Sequence, residues 1–132
     1  MTLHDLAMQA AARLSAGADR NGDAYFLNVP VTAATEDDDD RTQMVTLATG
    51  PAGSVAIATD VGVIDASLDL GAALEDAAAH ADLRLSARRD VEGRILVVSA
   101  RSGADATAEA VASLVSAVAA FADRLERSYF QA

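Results

Sequence analysis

Cysteine is absent from the sequence, which excludes disulfides, thiol catalysis and cysteine-ligated metals. Tryptophan is absent as well, and Phe and Tyr together supply only five aromatic rings. The core must therefore be built from Leu, Val, Ile and Ala. Lysine is missing, so all ten basic side chains are arginines. They face twenty acids, for a formal net charge of −10. A surface of that sign repels phosphate backbones and anionic lipid headgroups, so neither nucleic acid nor membrane is expected as a partner. No apolar run approaches the roughly 20 residues that span a bilayer. The opening "MTLHDLAMQAAARL" lacks the basic segment and long apolar run of a signal peptide. The expectation is a cytoplasmic protein.

What remains is a chain of 132 residues, 52% hydrophobic, a length that suits one domain over residues 1–132. Its periodicity predicts an α+β fold in the order α-β-β-β-α-β-β-α, an antiparallel sheet packed with helices. Residues 2–16 read as a helix with Leu3, Leu6, Ala7, Ala10 and Leu14 on one face. Thr2 and Asp5 form a capping box, and Gly17 is the expected stop. Residues 23–31, 41–50 and 54–62 alternate as strands and predict a three-strand meander, with "GPAG" at 50–53 as a turn. Pro30 ends the first of these strands or places it at an edge. Residues 68–81 return to helical spacing, with Asp69 as a cap. Residues 83–89 and 94–101 read as a second hairpin, the latter strand apolar on both faces and hence central. The last helix carries a stripe of Val111, Leu114, Val115, Val118, Phe121, Ala122, Leu125 and Tyr129. Glu109, Ser113, Ser116, Asp123, Arg124 and Arg127 fall on its other side.

The most prominent chemical signal is the acidic run Glu36–Asp40. A calcium loop alternates its ligands around a central Gly and ends in a bidentate Glu; this run is contiguous and has neither. A catalytic carboxylate needs a desolvated site that raises its pKa. Adjacent acids on a hairpin turn stay hydrated, so the run reads as a solvated loop, with weak cation binding or partner steering as the rival. His4 and His80 sit on separate predicted helices and do not make a zinc site. "TGPAGS" lies between two strands and lacks the Lys of a phosphate loop. Ser54 has no nucleophile-elbow context. No catalytic, cofactor or metal residue is expected.

Arg84, Arg88, Arg89, Arg94 and Arg101 gather on the last two strands. A turn at 89–93 would set Arg88 opposite Arg94, an unfavourable pairing of like charges. An acid of this chain, an acid of a partner, or solvent counterions must relieve it. Arg84, Arg88 and Arg94 are therefore candidate partner contacts.

The phrases "VAIATDVGVID", "LDLGAALEDAAAHADLRLSAR", "GRILVVSAR" and "AVASLVSAVAAFADRLERSYF", in this element order, resemble the type III secretion chaperone-like superfamily. That group includes class I secretion chaperones and YbjN-type domains. The resemblance spans roughly residues 2–130, and "FADRLE" is especially like the family's closing helix. It implies a homodimer without enzymatic activity or cofactor, holding an extended client segment by strand addition and side-chain pockets. By that analogy the client surface includes Leu3, Leu6, Ala10, Leu14 and Phe26. The dimer contact involves Leu74 and Ala78 of the second helix and Leu96 and Val98 of the fifth strand. The alternative within the same superfamily is a YbjN-type regulatory or scaffold domain that binds a folded partner and has no tie to secretion.

Overall fold

The computed structural model describes residues 2–31, 41–64, 69, 71–73, 75 and 84–130. Helix α1 spans Leu3–Leu14. Its capping box is present: the Thr2 hydroxyl accepts from the Asp5 N–H at 3.1 Å, and the Asp5 carboxylate accepts from the Thr2 N–H at 3.2 Å. The helix does not run on to Gly17. Ser15 takes the left-handed conformation (φ 53°) and closes it, with the Ala16 N–H bonding the Ala11 carbonyl at 2.9 Å.

Gly17 instead opens a strand that the sequence pattern did not reveal. Strand β1 spans Gly17–Asn21 and pairs antiparallel with β2, Ala24–Val31, through a tight turn at Gly22 (φ 62°). Its sequence, "GADRN", is polar and mostly exposed, so hydrophobic alternation could not mark it. Strands β3 (Arg41–Thr49) and β4 (Val55–Val63) complete the meander. Pro51–Gly53 forms a single 3-10 turn between them. The Ser54 hydroxyl is used in that turn, donating to the Pro51 carbonyl at 2.8 Å. Pro30 neither ends β2, which runs to Val31, nor puts it at the sheet's edge; it lies past the last β1–β2 pair, Gly17 with Asn28, so the β1 ladder does not need the N–H that proline lacks.

Strands β5 (Leu85–Arg89) and β6 (Ile95–Arg101) form the second hairpin. The sheet order is β1-β2-β3-β4-β6-β5, antiparallel throughout. β6 is interior, as its apolar sequence predicts. β1 and β5 are the two edges. Helix α2 spans Ala108–Leu125, with Thr107 as its N-cap, and runs into a π turn at Glu126–Phe130. Gly62 on β4 is required by that turn, because a Cβ there would collide with the Phe130 ring. Helices α1 and α2 pack against each other and against one face of the sheet. Between them and the sheet lie Leu27, Leu47, Ile57, Leu96, Val98, Val115 and Leu125, all fully buried.

Of the helix expected over 68–81, only residues 69, 71–73 and 75 are described, with 71–73 and 75 helical. Asp69 caps it as expected, its carboxylate accepting from the Ala72 N–H at 3.0 Å. Ala73 is fully buried, and the Tyr129 hydroxyl reaches the Ala72 carbonyl at 3.4 Å. Leu74, Ala78, His80 and the acidic run at 36–40 fall outside the described residues.

Candidate protein-binding surfaces

Several of the residues expected at an interface belong to the interior. Leu6 and Ala10 on α1 are core residues, 7% and 0% exposed, facing α2 and the sheet. They form no groove in this packing. Leu3 and Leu14 at the helix ends are half-buried against the same core. Leu96 and Val98 are both 0% exposed within one protomer, so they cannot form a contact between protomers. The reason is the pleat: they are the inward positions of β6, and a central strand fills the protomer core before it can offer anything to a neighbour. The outward positions of the same strand, Ile95 and Val97, are half-exposed.

Those outward residues belong to a broad open surface. Among the described residues, both long helices cover one face of the sheet and neither covers the other. Phe26 on β2, Met44 on β3, Ala56 and Ala58 on β4 and Val97 on β6 all point to that open face. Met44 is 55% exposed and Val63, at the end of β4, 65%. By alternation, the outward positions of the four interior strands carry only Asp60 and Arg101 as charges. In a chain this rich in acids, such a charge-poor patch has the composition of an interface rather than of an ordinary solvated surface.

The arginines divide into two groups. Arg94 does not face Arg88, because the hairpin turn is longer than expected and the register sets Arg88 opposite Val97 and Arg89 opposite Leu96. Arg94 instead pairs with Glu92 within the turn. Asp90 organises the turn by accepting from the N–H groups of Arg94 at 2.8 Å and Ile95 at 3.3 Å. Desolvation opposes the charged form of Asp90, but these N–H groups, that of Gly93 and the Arg94 charge outweigh it and hold its pKa below the usual value. Arg84 and Arg88 are exposed on the β5 edge, as a partner-contact role requires.

A second charged group is structural. Asp123 is 3% exposed, although helical spacing placed it on the solvent side of α2. Arg41 Nε reaches its Oδ1 at 2.7 Å and Arg127 Nε lies 3.1 Å from its Oδ2. Arg41 also approaches Glu126 at 3.7 Å. This cluster ties the start of β3 to the end of α2. Nothing in the spacing of one sequence shows that residues 41 and 123 meet. On β3 and β4, the buried Gln43 amide donates to Thr59 Oγ1 at 2.9 Å and to the Asp60 carbonyl at 3.2 Å, and the Thr59 hydroxyl donates to the Met44 carbonyl. These polar groups are satisfied by their neighbours and serve packing.

His4 shares a hydrogen bond of 3.0 Å with the Tyr25 hydroxyl, and Arg20 lies over the Tyr25 ring. Among the described residues no group of His, Asp or Glu is arranged to hold a metal ion. No described helix is long and apolar enough to cross a membrane. Among the described residues the sheet presents a charge-poor face and two strands, β1 and β5, with one edge unpaired. No family model, curated protein or solved structure matches the chain.

Proposed function

We propose that the chain is a non-catalytic protein-binding domain that acts as a cytoplasmic homodimer and holds an extended segment of a client protein, in the manner of the class I type III secretion chaperones it resembles. The observation that supports this reading is the side of the sheet that neither described long helix covers. One face is open and poor in charge around Phe26, Met44 and Val97, and the edge strands β1 and β5 each keep one side unpaired among the described residues. An extended segment can add main-chain hydrogen bonds at such an edge and seat alternate side chains beside it. With Leu6, Ala10, Leu96 and Val98 interior, this reading calls on the sheet's edges and open face instead of α1 and the inner side of β6.

The breadth of that face, with Phe26, Met44 and Val97 on three different strands, favours a second reading, a YbjN-type scaffold domain that docks a folded partner. A tagged pull-down from the source organism separates the two, with light-scattering mass and limited proteolysis of the eluate. The chaperone reading predicts twice the 13.5 kDa protomer mass plus a stoichiometric client with one short protease-protected segment. A complex with a folded partner and no such segment leaves the scaffold reading ahead. A monomer without a client contradicts both.

A further inference from the structure

We infer that the β5 edge is a site for an acidic extended polypeptide, one whose acidic and apolar residues alternate; this rests on the protein-binding reading and names the class of segment bound. Arg84, Arg88 and Arg101 line one open depression on the uncovered face, over Ser86, Ser99 and Ala58. Ser86 and Ser99 are directly opposite in the β5–β6 register and share a hydrogen bond of 3.1 Å, so they form a neutral floor with no charge of their own. Of the other arginines, Arg41 and Arg127 meet Asp123, Arg94 meets Glu92, and Arg20 bonds the Gly22 carbonyl and lies over Tyr25. Arg88 and Arg101 form no ion pair with a described residue. In a chain of net charge −10, Arg88 and Arg101 thus stand together at one end of the open sheet face without an acid among the described residues as an ion-pair partner.

The edge dictates the shape of the ligand. Among the described residues β5 pairs with β6 on one side only, leaving a row of backbone donors and acceptors for an added strand. Ser86 and Arg88 are two apart and project to the open face, with Arg84 at the start of the strand. Leu85 and Ala87 project to the core side and are half-buried against it. A seventh strand would therefore place acids at every second position beside Arg84 and Arg88. Its intervening residues would be apolar and would extend the core beside Leu85 and Ala87. A second copy's β5 in the register centred on Ser86 would bring Arg84 against Arg88, an unfavourable pairing.

The test uses the full chain and two fluorescein-labelled heptapeptides, Gly-Glu-Val-Glu-Val-Glu-Gly and the same sequence with Lys in place of Glu, read by anisotropy. The wild type should bind the glutamate peptide, more weakly as salt rises, and ignore the lysine peptide. Arg88→Glu should weaken glutamate-peptide binding by roughly tenfold and bring the lysine peptide into range. Arg13→Glu, an equal change in net charge on the exposed end of α1, should leave binding within about twofold, since separation beyond the ~8 Å Debye length screens it. The inference is overturned by equal binding of both peptides, by no binding of the glutamate peptide at millimolar concentration, or by equal effects of the two variants. If Arg88→Glu leaves affinity for a purified native client unchanged, this inference fails and the protein-binding reading stands. If the acidic peptide binds as predicted to a chain that holds no client, the client reading fails and the acidic-strand site stands.

Discussion

Replacing Leu96 with alanine separates a core role for β6 from an interface role. Leu96 is 0% exposed and projects between the sheet and α2. The change removes three carbons, worth about 2.4 kcal/mol at ~0.8 kcal/mol per buried methylene. A partly collapsed cavity adds to this, giving an expected loss of about 3–4 kcal/mol, inside the range measured for buried leucines. Domains of this size have roughly 5–15 kcal/mol of stability in total, so the variant should still fold but with its urea midpoint markedly lowered. The assay is urea unfolding followed by circular dichroism at two protein concentrations tenfold apart. A core residue gives the same loss at both concentrations. A loss under about 1 kcal/mol, or a Leu96→Ala deficit that appears only on dilution, would show that Leu96 supports association and would refute the packing argument.

Asp123→Ala should destabilise the fold by about 1–3 kcal/mol in thermal unfolding, because it strips the carboxylate from Arg41 and Arg127, which are themselves only 22% and 26% exposed at the side chain. Ala52 sits in the left-handed region at φ 56° in the β3–β4 turn; Ala52→Gly should raise stability by about 0.5–1 kcal/mol, the left-handed penalty less the added chain entropy, as read from the melting temperature. Asp90 has a folded-state pKa depressed below the ordinary 3.8, so its contribution is complete above the unfolded value and is lost as pH falls through the folded one. The melting temperature should therefore drop on acidification below about pH 4, and Asp90→Asn should reduce that drop while lowering stability at neutral pH.

The sequence was most informative where periodicity was strong. The stripe from Val111 to Leu125 is buried on α2, and Thr2 and Asp5 cap α1 as their spacing predicts. β2, β3 and β4 alternate, β6 is apolar on both faces, and all four lie within a residue or two of the expected bounds. Three features were hidden, each for a physical reason. β1 is an exposed polar edge strand, so it has no inward apolar row to read. Asp123 is buried by an arginine 82 residues away, and charge pairing at that distance leaves no local pattern. The Arg88 register depends on where the 90–94 turn begins, and a shift of three residues along β6, from Arg94 to Val97, replaces a repulsive pair. For the surface, composition identified the concentration of arginines on the last hairpin. It did not show that Arg84, Arg88 and Arg101 share a depression while Arg94 turns away to Glu92, because that follows from register alone. Leu96 and Val98 were legible as apolar and central, but not as inward-facing within one protomer.

Hydrogen exchange on the complex purified from the source organism tests the central claim most directly. The account predicts one continuous client segment that exchanges rapidly when free and slowly when bound, together with new protection of the amides of an edge strand, β5 first among them. A client whose exchange pattern is that of a folded domain in both states, with β1 and β5 unchanged, would contradict the holding of an extended segment.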